Sequence, residues 1–584
     1  MVSTDHDINT DFLPAIQKMK LQSIITSIIG TEVTTSVPRP PYLANAWGHF
    51  NGWPTIFDPD QRRSGSVEDE SVSLNVILDR LRANSNVICI GGKENGRPCP
   101  PSACPKGACT DVGEQVVQLN HPRAGVSGVV NIGMFNNIGY DPSKSITSCS
   151  KYPVLCNSSE CAGGTNDGTS CTSDAQCTGG GKCGCGSAGI PPAANGCNDI
   201  LRDRNVVPQP TRCTSAGCGS GFENPNGTRN VDVDIMEIDN GGSTGSFGGL
   251  RRVRRDWLSL LNQGVMVGKP GSQHPLWGTG VSDSHRIVAE LPGYSRTFVG
   301  AGDLGTTGSI DIKGFNEQVV AGNMMATAGP YIEFTMDQGG TPVKMGETLS
   351  GTGSVNLNIT VQAAPWVPVD EVRIVKNGCV LQCYNTTTTP AVSANPSDPY
   401  GDTGVVRFDA TVVDTASGDS YYIVEASPNL PAPGSSPTVD PVVNSVAENN
   451  FPFGFTNPIF VDTNGGGYTG ITLAAGSGEP TCPALPASCS AGSATAYAAP
   501  ATMYAAASSA APRGLLARLF GLLASPAAAA HDDGPEPENE DERIRQHEEK
   551  IRKSSGEYYP WRLLELPTPR PEDVRSVPST EPGK

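Results

Sequence analysis

The fold turns on one stretch: "VDVDIMEI" (residues 231–238), "LRRVRRDWLSLLNQG" (250–264), "VMVG" (265–268) and then "SDSH" (282–285). "VDVDIMEI" alternates like a half-buried strand. "LRRVRRDWLSLLNQG" puts Leu250, Val253, Trp257, Leu260 and Leu261 on one face of a helix, and Gly264 stands where a C′ cap is expected. Strand, helix and strand in succession predict an α/β domain with a mainly parallel sheet. Ligands gather at the carboxyl ends of such strands, which is where "SDSH" falls.

The same rhythm extends upstream. Residues 11–30 read as a short helix followed by a strand. In residues 68–82, Leu74, Ile77, Leu78 and Leu81 form a helical stripe. "EQVVQLNHPR" (114–123) reads as a strand that delivers His121 at its end. Two Gly-, Pro-, Ser- and Cys-rich insertions, about 89–113 and 141–229, interrupt the pattern and are expected to hang from loops. From about 345 to 475, "VNLNITVQA", "EVRIVKNG", "VVRFDATVV" and "YYIVEAS" read as short alternating strands of an antiparallel β-sandwich. Residues 476–584 read as an Ala/Pro-rich linker, an amphipathic helix near 515–530 and a charged, largely disordered tail with one solvated helix at 540–553.

Bulk composition narrows the function. A chain of 584 residues predicts two or three domains. Its 68 Gly and 49 Pro favour a loop-rich, strand-bearing protein. A net charge of −18 excludes nucleic acid as the expected partner. No stretch is long and apolar enough to be a transmembrane segment. Of 18 cysteines, fourteen lie between Cys89 and Cys218, and the rest form the short-spaced pairs Cys379/Cys383 and Cys482/Cys489. Cys99, Cys104 and Cys109 are five apart, wider than common zinc knuckles, so disulfides are expected, with pairing open. That usage points to an extracellular or periplasmic protein.

Histidine is scarce, seven in the chain, and most of it falls where chemistry is expected. "STDHD" carries His6, "IGTEVTT" Glu32, "WGHFNG" His49, "LNHPR" His121, and "SDSH" Asp283 and His285, each at an expected strand end. Asp283 and His285 are two apart, which puts both side chains on one side of an extended segment. Mixed His and carboxylate ligands suit zinc, manganese or iron, and bridging carboxylates suit a multinuclear site. His274 reads as an exposed loop residue, and His531 and His547 as solvated.

These motifs, with "GHFNGWP", "DIMEIDNGG", "DWLSLLNQG", "YSRTFV", "ATAGPYIEF", "APWVPVDEVRIVKNG" and "FGFTNPIFVD", resemble the polymerase and histidinol phosphatase (PHP) superfamily of metallohydrolases, in its carbamate-hydrolase-like branch. The likeness covers about 1–82, 114–140, 230–375 and 450–463. The Cys-rich insertions are not part of it. It implies an incomplete, distorted (β/α)7 barrel over residues 1–340 holding two or three divalent metal ions. Glu32 would bridge two of them, His49 and His121 would complete the second, and His6, Asp283 and His285 would bind the third. Arg123 would contact an anionic group of a small-molecule substrate or form a salt bridge. Asp5 would orient the backbone or His6. The family's opening His-x-His strand has no counterpart here, so the expectation is a truncated N-terminus that once carried that motif and a secretion signal. The function implied is metal-dependent hydrolysis of an ester, amide, carbamate or phosphoester, impaired by the missing motif. The alternative is a non-catalytic extracellular scaffold whose sandwich contacts a surface or glycan.

Overall fold

The computed structural model describes residues 1–37, 43–67, 69, 74–83, 87–99, 104–123, 125–126, 130–131, 133–137, 140–143, 159–162, 182–185, 232–241, 247–269, 272–285, 292–301, 310–393, 405–431, 450–490 and 493. All of them belong to one compact unit, Met1–Ser508. Most of the 141–229 insertion and of the tail lies outside the described residues.

In chain order the elements used below are β1 (Val2–Ser3), α1 (Leu13–Lys18), β2 (Ile28–Ile29), β3 (Thr31–Val37), β4 (Leu43–Trp53), α2 (Leu74–Arg82), β5 (Val87–Ile90), β6 (Ala108–Asp111), β7 (Val116–Asn120), β8 (Ile235–Asn240), α3 (Phe247–Asn262) and β9 (Trp277–Val281). They continue with β10 (Arg296–Val299), α4 (Ile312–Val320), β11 (Met324–Thr327), β12 (Tyr331–Asp337), β13 (Gly353–Gln362), β14 (Glu371–Lys376), β15 (Cys379–Asn385), β16 (Val406–Ala416), β17 (Ser420–Ser427), β18 (Gly454–Thr456) and β19 (Ile459–Asp462).

The first sheet runs β9-β8-β7-β4-β3. β7, β8 and β9 are parallel, but the strand that follows α3 in this sheet is β9 and not "VMVG", whose Met266–Val267 pairs antiparallel with His274–Pro275. β4 is antiparallel to both of its neighbours, so the sheet is mixed. The difference arises because β3 and β4 are joined by a short connection, and such a connection pairs strands antiparallel. One face of this sheet is apolar. Phe50, Val117 and Leu119 join Leu74, Ile77, Leu78 and Leu81 of α2 in a buried core. Gly52 is required there, since a Cβ would sit 2.6 Å from Leu81 Cδ2.

The other face is buried yet polar. Asn120 Nδ2 donates to Asn51 Oδ1 (2.8 Å), Gln118 Nε2 to Asn120 Oδ1 (2.9 Å), and Thr279 Oγ1 to Gln118 Oε1 (3.1 Å). Period-2 alternation along β4 and β7 separates the two faces.

α3 carries the expected apolar stripe, with Val253, Trp257, Leu260 and Leu261 buried. It ends at Gly264 in the left-handed region (φ 61°), whose N–H donates to Leu261 O (3.0 Å). A side chain there would collide with the Thr469 carbonyl, 2.1 Å from a Cβ.

Two further sheets follow. One runs β10-β11-β18-β17-β14-β15, with β19 on β17 and Thr348–Ser350 on β19; the other joins Val343–Lys344, β12, β13 and β16. β17 is buried along its whole length because both of its faces are covered. Tyr421 and Ile423 point into the core shared with α3 and the first sheet, while Tyr422, Val424 and Ala426 point into the core between the two later sheets. The boundary expected near 340–345 is therefore not a gap: β10, β11 and β12 all precede it and already belong to these sheets.

In the first Cys-rich insertion, β5 pairs with β6 and Cys99 is bonded to Cys109. Cys379 is bonded to Cys482, and Cys383 to Cys489. The segment read as the start of a linker is thus stapled to β15, and each short-spaced cysteine pair is split between two bridges.

Candidate metal centre

The N-terminal segment is held by ladder bonds. β1 pairs in parallel with β2, His6 bridges to Glu32, Asp7 N donates to Glu32 O (2.8 Å), and Glu32 N donates to Asp5 O (3.0 Å). That bridge brings His6 beside β3. Glu32 and His49 lie within β3 and β4 rather than at strand ends, because both strands run past the site. His121 follows β7 directly, at φ 23°, and Asp283 follows β9, at φ 45°. Positive φ is unusual for non-Gly residues, and both residues turn the chain where a strand stops.

The six residues singled out from the sequence meet in a closed ring. His6 Nε2 lies 3.2 Å from His285 Nε2, and His6 Nδ1 lies 3.9 Å from Glu32 Oε1. Glu32 Oε1 accepts from His49 Nδ1 at 2.8 Å, and His49 Nδ1 lies 2.9 Å from His121 Nε2. His121 Nδ1 is 3.9 Å from Asp283 Oδ2, and Asp283 Oδ1 is 3.5 Å from His285 Nδ1. Glu32, His49 and His121 are buried, whereas the His6 and His285 side chains are 41% and 50% exposed, so the ring opens to solvent on their side.

Glu237 of β8 belongs to the site and was not singled out from the sequence. Its Oε2 lies 3.6 Å from His121 Nδ1. Asn240, from the same strand, donates from Nδ2 to Asp283 Oδ2 (2.9 Å). The clue was the alternation of "DIMEIDN", which sets Glu237 and Asp239 opposite the apolar Met236 and Ile238 in a strand buried along its whole length.

Charge balance explains the titration of the ring. Burial alone would raise the Glu32 carboxyl, but the His49 hydrogen bond and the surrounding imidazoles outweigh it and hold it at about 2. Burial would lower His121, but the facing Glu237 carboxylate outweighs that and lifts it to about 9. Burial raises Glu237 itself. The carboxylates thus favour the protonated form of His121, whereas burial lowers His6.

The donor set fits divalent ions. Ligand atoms of His6, Glu32 and His49 all lie within 4.8 Å of one another. Among the described residues, buried His121 Nδ1 makes no hydrogen bond and faces two carboxylate oxygens at non-bonded distance. Imidazole nitrogen with carboxylate oxygen is the ligand chemistry of zinc, manganese and iron.

Of the other residues singled out from the sequence, Arg123 takes the salt-bridge alternative, and the readings of Asp5 and His274 are corrected. Asp5 is exposed, and it is Asp7, in a left-handed turn (φ 56°), whose carboxylate accepts from Thr34 N (2.8 Å) and fixes the segment. Arg123 does not face the ring. It is buried, donates to both oxygens of Asp256 on α3 (2.7 and 2.8 Å) and to Tyr140 O (2.7 Å), and so ties the turn after His121 to that helix. A cation buried this deep needs a fixed partner, and Asp256 supplies it. His274 is not an exposed loop residue: it stacks on Trp277 with ring centroids 5.6 Å apart and lies 3.4 Å from Asp234.

No family model, curated protein or solved structure matches the chain. Among the described residues no helix is long and apolar enough to cross a membrane.

Proposed function

We propose that the protein is a metal-dependent hydrolase of an ester, amide, carbamate or phosphoester, of the PHP type, on an α/β scaffold. The observation that carries this reading is the ring itself: two imidazole–imidazole contacts, linked through Glu32 and Asp283 and built from segments up to 279 residues apart, close around one solvent-facing mouth. Structural histidines seldom touch nitrogen to nitrogen, because two protonated rings repel and two neutral ones offer a single shared proton.

Divalent ions held by His6, Glu32, His49, His121, Asp283 and His285 would supply Lewis-acid polarisation and make water acidic near neutral pH. Glu32 is suited to bridging, since imidazoles face it from three sides. Glu237 holds the His121 ring from the Nδ1 side, which aims Nε2 at the ring's centre. Asn240 fixes the Asp283 carboxylate. Exposed His6 and His285 flank the opening where a substrate would enter.

The test is metal analysis of the purified chain with hydrolysis of p-nitrophenyl acetate and bis(p-nitrophenyl) phosphate. At least two equivalents of zinc, manganese or iron, with hydrolysis abolished in Glu32→Gln, are expected. One metal or none, with neither substrate cleaved, overturns the proposal and leaves a scaffold protein.

A further inference from the structure

A second cavity lies away from the ring, along β10 at the edge of the eight-stranded sheet. It has a volume of about 470 Å³ and is lined by Tyr294, Arg296, Phe298, Tyr331, Gln362 and Trp366 among others. That volume falls within the usual range for small-molecule sites. Residues 296 and 298 alternate onto one face of β10, and Tyr294 precedes them in the same rhythm. Phe298 and Trp366 are 40% and 45% exposed, unusual for large rings on an edge strand and a neighbouring loop. Phe298 meets Tyr331 edge to face with centroids 5.1 Å apart.

Arg296 sits among these rings, its guanidinium carbon 5.5 Å from the Tyr294 centroid and 5.4 Å from that of Phe298. Nη1 donates to Gly293 O (3.0 Å), and among the described residues no carboxylate forms an ion pair with it. Arg123 holds Asp256, and Arg373 holds Glu371 and Glu425, while buried Arg407 donates to the backbone carbonyls of Ser393, Ala364, Pro365 and Val367. A half-buried guanidinium near two aromatic rings, with one hydrogen bond to a backbone carbonyl, keeps donors that suit a carboxylate.

We propose that this cavity binds a small organic anion with an apolar, ring-bearing body, its carboxylate gripped by Arg296 and its ring packed against Phe298, Tyr331 and Trp366. Gln362, paired with Tyr331 across β12 and β13, offers a neutral polar group beside them. The occupant is a small molecule rather than a protein, because a volume of about 470 Å³ matches one. This inference does not rest on the hydrolase reading.

Intrinsic tryptophan fluorescence and calorimetry on the full chain test it, with phenylpropionate, its neutral amide and glucuronate as probes. Phenylpropionate is expected to bind saturably and roughly tenfold or more tighter than the amide, the scale of a charge-assisted hydrogen bond. Arg296→Met keeps the apolar stem and should erase the preference for acid over amide, while Trp366→Ala should weaken both. The comparison of acid with amide on the unmodified protein needs no variant to fold. Equal binding of acid and amide, or none of either, overturns the proposal. Glucuronate binding more tightly than phenylpropionate overturns the apolar body.

Discussion

A carboxyl group sealed from water and given no cation must surrender its charge or strain the fold. Asp239, on β8 beside the ring, is in that position. Burial pushes it up to about 7, and the Ser295 hydroxyl that donates to it only partly opposes this. Its folded pKa is above the unfolded value, so its stabilising contribution is complete below about pH 4 and disappears as pH rises through 7. For metal-free protein we expect stability to fall between about pH 4 and 7 by up to about 4 kcal/mol from this group, and Asp239→Asn to flatten that slope; denaturant melts at several pH values measure it. Arg123 and Asp256 make a second case. Asp256→Ala should cost about 3–5 kcal/mol by stranding a buried guanidinium, and Arg123→Met with Asp256→Leu should cost less than the single change. A double-mutant cycle by chemical denaturation decides it, and a pair that was additive would not be the structural tie described above. At this scale the site was legible where residue types are rare. Seven histidines stand out in the sequence, but Glu237 is one of 59 acidic residues and nothing in its own identity marks it.

Elements were legible where one physical period dominates. α2 and α3 show apolar stripes at helical spacing, and β8 and the later strands alternate, so their type and order could be read. The antiparallel placement of β4 could not. Its polar residues serve a buried site face, and the alternation that reveals a strand is silent about its neighbours. Nor could cysteine pairing be read, because spacing alone leaves the connectivity open and it is the fold that sets Cys379 and Cys383 of β15 opposite Cys482 and Cys489. These bridges close loops of sequence separation 103 and 106. Chain entropy assigns a single loop of that size roughly 4–5 kcal/mol, and the second, nearly parallel bridge should add less. Cys379→Ser with Cys482→Ser is therefore expected to lower the melting temperature modestly, whereas loss of both bridges should lower it by many degrees. Calorimetry of the two variants gives the comparison, and equal losses would contradict it.

For the whole molecule, the site is a product of the complete fold. His6 and His285 touch only because the bridge to Glu32 sets His6 beside β3 and because β3 and β9 belong to one sheet, which shares its core with α3 and the eight-stranded sheet. Ions that bind this assembled ring and not the open chain must stabilise folding by mass action. Dialysis against a chelator should lower the unfolding midpoint by several degrees, and zinc or manganese should restore it. At a hundredfold excess over its dissociation constant a single ion contributes about 2.7 kcal/mol. A midpoint that ignores both treatments would remove the metal from the proposal without touching the inference about Arg296.

The two crossed bridges also govern what happens when the backbone is cut. A protease that severs the peptide chain anywhere between Cys383 and Cys482 leaves two fragments still joined by sulfur at both ends of the break. Such a nicked protein would migrate as one band without reductant and as two with it, so a blot run only under non-reducing conditions would mistake cleaved material for intact.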